Sequence, residues 1–321
     1  MDFLANYFGS LNPMSFLSAL PGNIAQGIIW GLMGLGVFLT FKLLNFADLS
    51  VDGSFATGGA VTAVMLINGC PVWATIIVAI LAGLAAGLVT GLLHTLLGIP
   101  DILAGILTQI ALYSINLNIM GKSNLPISYR NYTLVVSASN INMAILVGLG
   151  ICAVVVAAMY WYFGTEQGST IRSTGSNPAM SKAQGININF TKVIALALSN
   201  GLVALSGSLF AQYQGFADIN MGRGAIVIGL AAVIIGEVLG EAIFRKHMNF
   251  IIRMLFVIVG GILYYIAMGI ALWLKMPTDD TKLFTAIIVA IFLAVPYLQK
   301  KRKTSFKKVA KMNAKNAQKE G

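Results

Sequence analysis

The sequence predicts an all-α membrane protein that crosses the bilayer about nine times, and three observations lead to this prediction. Of its 321 residues, 57% are hydrophobic and only 10% are charged, far less charge than a soluble domain carries. Apolar windows of about 20 residues, long enough to cross a membrane as a helix, recur along almost the whole chain. Thirty-four glycines are spread through these windows, as expected where small residues let membrane helices pack closely.

The predicted spans together make residues 1–299 one transmembrane domain. The stretch before the first span is interrupted by Asn12-Pro13, and we expect it to form a helix at the membrane interface rather than a crossing. A count of eight to ten stays open because boundaries read from one sequence are uncertain by a few residues. The nine predicted spans are 24–42, 54–69, 72–93, 100–120, 142–163, 191–212, 224–240, 249–272 and 282–298.

The orientation of the chain is predicted from its basic residues, which favour the cytoplasmic side of a membrane. The tail at 300–321 holds nine of the 21 Lys and Arg residues and one acid, so it contributes +8 of the net +10. A cytoplasmic tail and nine spans place the amino terminus outside, with seven basic loop residues inside and five outside. We interpret the tail as an anchor or a contact to lipid or to a partner rather than as a nucleic-acid site.

Two carboxylates, Asp48 and Asp52, lie four residues apart between the first two spans. Polar neighbours surround them, so the chain is expected to turn or unwind here before the second span. Irregular backbone at membrane depth survives only where protein or a water-filled cavity covers it. One interpretation therefore places both acids in a water-filled environment near a transport pathway or its gate. Either carboxylate could attract the ammonium group of a substrate there. The alternative is an exposed cytoplasmic turn in which Asp52 caps the next helix.

The third and fourth spans carry two different patterns. Gly83, Gly87 and Gly91 repeat at a spacing that leaves one helix face without side chains, which predicts close packing against another helix. On the fourth span, Gln109, Tyr113 and Asn116 fall on one helical face. They line a pathway or form hydrogen bonds between helices, and the pattern does not separate these two roles.

The segment 165–192 is longer than a passive connection between membrane helices. Asn177 suits an N-cap, Pro178 suits the first helical position, and Gly185 can adopt the left-handed conformation that ends a helix. We therefore predict a two-turn helix over 178–184, with Arg172 and Lys182 nearby. It presents a rigid surface for a partner protein or is simply an ordered loop.

The charges near the end of the seventh span have a simple interpretation. Glu241 and Arg245 are four residues apart, which predicts an ion pair within one helix. Between the third and fourth spans, Asp101 follows Pro100 and is predicted to cap the fourth helix.

Three motifs together resemble one family of membrane proteins. The first span ends with Gly34-Leu-Gly-x-x-Leu-Thr-Phe, followed by Leu-Asn45-Phe46-Ala47-Asp48 and a small-residue second span. The long loop contains Arg172-x-x-Gly175-x-Asn177-Pro178 followed by Gly185-Ile186, and the segment 229–240 reads GLAAVIIGEVLG. This pattern resembles the permease subunits of ABC importers for branched-chain amino acids and ribose.

The resemblance implies a type II-like importer fold, a second copy of the chain, two ATPase subunits that bind ATP and Mg²⁺, and an extracytoplasmic binding lipoprotein in a bacterial cytoplasmic membrane. In that family the segment around Asn177 is the coupling helix, which docks in a cleft of the ATPase. Gly236-Glu237 stands where sugar-type members show Gly-Gly, which disfavours the sugar branch. The whole pattern resembles the amino acid branch, and the resemblance suggests aromatic amino acids such as tryptophan or tyrosine; a permease for a sugar or nucleoside is the alternative. The residues that we expect to couple to the ATPase are Arg172, Gly175, Asn177, Pro178, Ala179, Met180, Ser181, Lys182 and Gly185, and those expected along the pathway are Asn45, Phe46, Asp48, Asp52, Gln109, Tyr113 and Asn116.

No enzyme site, metal site or bound cofactor is predicted for this chain. Gly121-Lys122-Ser123 lacks the upstream glycine of a phosphate-binding loop, because position 116 is Asn. Both histidines lack Cys, His or acidic neighbours at ligand spacing. The alternative from another class is an ion-coupled secondary transporter, which would show inverted repeats with paired broken helices.

Overall fold

The computed structural model describes residues 13–128, 132, 134–244 and 248–274, together with 283, 284, 286, 287, 289–291 and 294. Ten α-helices and one π-helical turn account for most of these residues. The helices are α1 (Pro13–Val37, continued by the π-helix Phe38–Leu43), α2 (Val51–Ile67), α3 (Val72–Thr95), α4 (Asp101–Met120), α5 (Ile141–Phe163), α6 (Glu166–Ser176), α7 (Pro178–Ala183), α8 (Ile188–Gln214), α9 (Ala225–Phe244) and α10 (Phe250–Trp273).

The predicted spans agree with the helices that are long and apolar enough to cross a membrane. Within the described residues there are seven such helices. The second predicted span, 54–69, corresponds to the shorter apolar helix α2, whose 17 residues rise roughly 25 Å, somewhat less than a ~30 Å hydrocarbon layer. The ninth predicted span, 282–298, and the basic tail lie largely outside the described residues.

The beginning of the first span differs from the prediction. Helix α1 starts at Pro13 and runs without a break through Pro21 into the π-helix. Residues 13–20 are therefore continuous with the first spanning helix, and the prediction of a separate helix is wrong over this part. Proline is well tolerated at Pro13 because the first turn of a helix leaves its backbone N–H groups unpaired in any case.

Helices α1 and α8 form the centre of the bundle. Their most apolar windows are 83% and 72% buried, against 33% or less for α3, α4 and α5. Serines of α8 donate hydrogen bonds to backbone carbonyls of α1, from Ser199 to Gly36 at 2.8 Å and from Ser206 to Ile29 at 2.7 Å. Such hydroxyl bonds and small residues are what allow close helix contact in a membrane.

The glycine face of α3 packs as predicted. A Cβ atom on Gly83 or Gly87 would collide with a backbone carbonyl of α8, belonging to Asn200 and Leu196 respectively. A Cβ on Gly91 would lie 2.8 Å from the Cα of Val193. The two helices therefore meet backbone to backbone along three turns.

At the end of the bundle away from α6 and α7, two short strands pair. Strand β1 (Asn124–Pro126) follows α4, and strand β2 (Phe216–Asp218) follows α8. They are antiparallel, with Leu125 opposite Ala217. The sheet joins the loop after α4 to the loop after α8.

Candidate functional site

The segment between the first two spans is irregular and passes through the interior of the bundle. After the π-helix the chain runs without helical structure until Val51, and Asn45 adopts a positive φ of 55°. Asparagine is one of the few residues other than glycine that reach this conformation readily. The predicted unwinding is confirmed, and protein covers most of the segment.

Asp48 is fully enclosed by protein rather than exposed at a cytoplasmic turn. Its exposed fraction is 3%. One carboxylate oxygen accepts hydrogen bonds from the backbone N–H and the hydroxyl of Ser50. The other accepts a bond of 2.8 Å from the side-chain amide of Asn200. The interpretation of this stretch as an exposed turn is therefore wrong for Asp48.

Asn200 connects this carboxylate to two hydroxyls as well. Its side-chain oxygen accepts hydrogen bonds from Ser54 at 2.6 Å and from Ser50 at 3.2 Å. All of these polar groups are buried. Asn200 lies near the middle of α8 and contacts Gly83 near the middle of α3, so the network lies about halfway through the bundle. A buried polar group at this depth is stable because its partners are all in place.

Asp52 has a different role from the predicted cap of its own helix. It lies in the first turn of α2, but its carboxylate accepts bonds from the backbone N–H groups of Gly224 at 2.9 Å and Ile226 at 2.8 Å. These amides are at the start of α9. Asp52 therefore caps a helix that begins 173 residues later in the chain, where a negative charge is favoured by the helix dipole.

A cavity of about 320 Å³ opens between α2, α4 and the turn before α9. Asn116 in its wall is completely buried, and neither atom of its amide has a hydrogen-bond partner. Four of the residues predicted to line a pathway meet here. The cavity is lined by Asp52, Gln109, Tyr113 and Asn116, together with Gly53, Ala56, Ile110, Ser114, Ile219 and Arg223.

The other three predicted pathway residues do not reach this cavity. Asp48 lies in the buried network, while Asn45 is exposed and Phe46 is buried. Phe46 packs edge-on against His94, with 5.1 Å between the ring centroids. The predicted pathway set is therefore divided between the cavity and the irregular segment.

His94 links the irregular segment to the start of α8. Its Nδ1 lies 2.8 Å from the carbonyl oxygen of Ile99, and its Nε2 lies 2.9 Å from the ammonium group of Lys192. Because the carbonyl only accepts, Nδ1 carries the proton and Nε2 accepts from Lys192. No group of three or more metal-ligating side chains occurs in the described part of the chain.

The predicted short helix after the fifth span is confirmed as α7. The side chain of Asn177 accepts a bond of 3.1 Å from the backbone N–H of Met180, and Pro178 is the first helical residue. The helix ends at Ala183, and Gly185 has a φ of 81°.

The preceding helix α6, over Glu166–Ser176, was not predicted. It begins with a second cap, in which the hydroxyl of Thr165 accepts from the N–H of Gly168.

The residues predicted to couple to an ATPase lie on α6, on α7 and in the turn after α7. Met180 is 58% exposed at the surface of α7, whereas Ser181 is buried. Gly175 lies against the end of the first span, where an added Cβ would collide with the carbonyl oxygen of Leu43. The α6–α7 segment therefore contacts the residues that lead directly into the irregular segment.

Glu237 forms the ion pairs that the structure describes at this end of the bundle. Glu237 of α9 binds Lys42 at 2.8 Å and lies 3.9 Å from Arg253 of α10. The predicted partner of Glu241, Arg245, lies outside the described residues. Lys42, Arg172 and Arg253 line one pocket, which places three of the basic residues predicted for the cytoplasmic side at the same end as α7.

The sequence analysis did not identify three residues of the site. They are Asn200 in the buried network, Arg223 in the cavity wall and Lys192 beside His94. A signal for Asn200 was present, since it is an amide in the middle of a long apolar helix and polar groups inside membrane helices usually have a specific partner.

Asp101 is the first residue of α4 and makes no cap bond; the N-cap is Pro100. The predicted capping role of Asp101 is therefore wrong.

Comparisons with known proteins agree with this geometry. The family model described as branched-chain amino acid transport system / permease component matches residues 22–296. The chain is 42% identical over 301 residues to the tyrosine transport system permease protein of Clostridioides difficile (strain R20291), covering 93% of this chain and 99% of that protein. It is 27% identical to the D-allose transport system permease protein of Escherichia coli (strain K12), over 71% of each.

A solved structure shares the fold. PsaBC from Streptococcus pneumoniae in complex with Fab superposes with a TM-score of 0.51 at 16% identity, covering 91% of this chain and 94% of that one. The comparisons do not favour an ion-coupled carrier. The chain therefore belongs to the branched-chain amino acid transport system / permease component family, and it is a multi-pass ABC permease.

Proposed function

We propose that this chain works as a homodimer with two ATPase subunits and an extracytoplasmic binding lipoprotein, and that it imports an amino acid across a bacterial cytoplasmic membrane. Residues 1–299 form the transmembrane domain in this proposal, and the basic tail 300–321 lies in the cytoplasm. ATP and Mg²⁺ bind to the ATPase subunits, which supply the energy. Family membership and the grouping of basic residues near α7 support this arrangement.

The observation that carries the proposal is the contact of the α6–α7 segment with the first span. Caps fix α7 at its start, and Met180 projects from its surface. Movement of an ATPase bound to Met180 and Lys182 would displace Gly175. Because Gly175 touches the backbone at Leu43, the displacement would pass into the irregular segment. The Asp48–Asn200 bond would then carry it to the middle of α8.

The cavity between α2 and α4 is the proposed site of passage for the substrate. Asp52 supplies a carboxylate and Arg223 a guanidinium in the same wall. A zwitterionic amino acid carries both complementary charges, and Tyr113, which is 41% exposed, offers a ring for an apolar or aromatic side chain. The name of the Clostridioides difficile relative supports tyrosine or a similar amino acid as the substrate.

Two measurements test the proposal. Purified from its own membrane, the chain should bring down a protein with a Walker ATP-binding motif, and a carrier should not. Reconstituted with its ATPase and binding protein, it should take up tyrosine or tryptophan only with ATP. Uptake of D-allose or a nucleoside in place of amino acids would overturn the substrate assignment.

A matched pair of variants tests the coupling contact. Met180→Glu should abolish ATPase binding and uptake, because an apolar side chain at the docking surface becomes charged. Met143→Glu makes the same change at a residue that is 56% exposed at the start of α5, at the opposite end, and should leave both unchanged. Equal behaviour of the two variants would refute docking through α7.

A further inference from the structure

Three neighbouring pockets toward the α6 end of the bundle share lining residues. An apolar cavity of about 340 Å³ between α1, α3, α5 and α8 shares Trp161 and Phe163 with a second cavity of about 500 Å³ at the end of α5. The second shares Arg172 and Phe250 with a third, of about 320 Å³, which also contains Lys42. This row of three adjacent pockets, called the groove below, is apolar at one end and basic at the other.

The basic end of the groove keeps an excess of positive charge. Lys42, Arg172 and Arg253 line its third pocket, and Glu237 is the one acid that pairs with any of them among the described residues. Arg172 donates to the carbonyl oxygen of Phe163 at 3.0 Å and lies over the ring of Phe250, and within the described chain it has no carboxylate partner. Three cations against one anion leave a net charge of +2.

The other end of the groove lies beside a helix with an exposed apolar surface. The spanning window of α5 is only 22% buried, and it exposes large apolar side chains along its length, among them Leu146, Val154 and Trp161. Tyr160 and Trp161, which are 53% and 74% exposed, stand at the end of α5 next to Arg172. Amphipathic aromatic rings are typical of the level at which lipid headgroups begin.

We propose that this groove binds an anionic phospholipid. An acyl chain lies in the apolar cavity beside Ala158 and Met159, and the headgroup phosphate lies among Lys42, Arg172 and Arg253. Basic pockets between membrane helices recognise such headgroups. A free phosphate would use only the basic end, and a neutral lipid would use only the apolar end, whereas the adjacency of the three pockets fits one molecule with both parts. The bound lipid would contact α6, and through it the segment proposed to couple to the ATPase.

Lipid retention by the purified full-length chain, measured by native mass spectrometry after exchange into phosphatidylglycerol or phosphatidylcholine, tests the charged end. We expect preferential retention of phosphatidylglycerol, and about fivefold weaker binding for each cation removed in Arg253→Gln or Lys42→Gln. Lys182→Gln removes an exposed cation from α7, outside the groove, and should leave lipid retention unchanged. Equal retention of the two lipids, or equal loss in Lys182→Gln, would overturn the proposal.

A second pair of variants tests the apolar end. Ala158 is exposed and lines the apolar cavity, so Ala158→Phe should fill it and weaken phosphatidylglycerol binding without affecting folding. Ala157→Phe is the control, because Ala157 is exposed on α5 but does not line the cavity. Unchanged lipid binding in Ala158→Phe, or full displacement of lipid by inorganic phosphate, would show that no phospholipid occupies the groove. Loss of ATPase association rather than lipid in Arg253→Gln would assign the cations to the partner protein instead.

Discussion

The side-chain amide of Asn200 donates a 2.8 Å hydrogen bond to the carboxylate of Asp48, across 152 residues of sequence. This bond joins the only stretch of irregular backbone between α1 and α2 to the middle of α8. Since both residues are buried, neither can exchange its partner for water without a rearrangement of the bundle. The bond therefore holds one arrangement of these elements in place.

Replacement of Asp48 by Asn should reduce uptake while the folded protein remains. An asparagine keeps one acceptor oxygen but turns an NH₂ group toward Ser50 or Asn200, both of which donate at present. The lost bond should lower stability by about 1–3 kcal/mol, measured as thermal unfolding in detergent. Glu241→Gln, at an exposed position, is the control. Unchanged uptake by Asp48→Asn in proteoliposomes would remove this carboxylate from the mechanism.

Replacement of Gly175 by Ala should impair the coupling of ATP hydrolysis to uptake. The new Cβ would collide with the carbonyl oxygen of Leu43, which forces α6 away from the first span. We expect uptake to fall while ATPase activity persists, measured together in proteoliposomes. Gly150→Ala is the matched control, because no atom lies within 4 Å of a Cβ at that position. If Gly175→Ala transports normally, the contact does not transmit movement.

Asn116→Leu should separate a transport role from a structural one. The amide of Asn116 is buried without partners, and such a group costs about 1–3 kcal/mol. The variant should therefore be as stable as the original chain or more so, and it should transport less if the cavity conducts substrate. Asn118→Leu makes the same change at an exposed position of α4 and should leave uptake intact. A fall in stability in Asn116→Leu would contradict this account of the site.

Removal of the Asp52 carboxylate should loosen the start of α9. Asp52→Ala leaves the N–H groups of Gly224 and Ile226 without their present acceptor, and the loss of an N-cap typically costs about 1 kcal/mol. Hydrogen exchange at residues 224–228 should be faster in this variant, with little change in α10. Unaltered exchange at the start of α9 would show that the cap contributes nothing to local stability.

The features that the sequence predicts well are local. Asn177 and Pro178 start a short helix and Gly185 follows its end through the conformations of their own backbone and nearest neighbours, so the nine residues 177–185 are enough. Gly83 and Gly87 likewise predict a close contact between helices, although they do not identify α8 as the partner. Hydrophobic length alone is sufficient for most of the spans.

The features that the sequence leaves open depend on which elements become neighbours. Asp52 has the position of a cap for α2, yet the amides that it binds belong to α9. Glu237 pairs with Lys42 from the end of the first span, 195 residues earlier in the chain. Such pairings are decided by packing after the helices have formed, and a single sequence carries no direct record of them. The extension of α1 to Pro13 was missed because Asn12-Pro13 was interpreted as a break rather than as a helix start.

The pairing of β1 with β2 joins two loops that are far apart in sequence into one structural unit. Strand β2 ends at Asp218, and the following turn leads directly to the Gly224 amide held by Asp52. A protein that binds either loop would therefore also displace the turn that lines the cavity between α2 and α4.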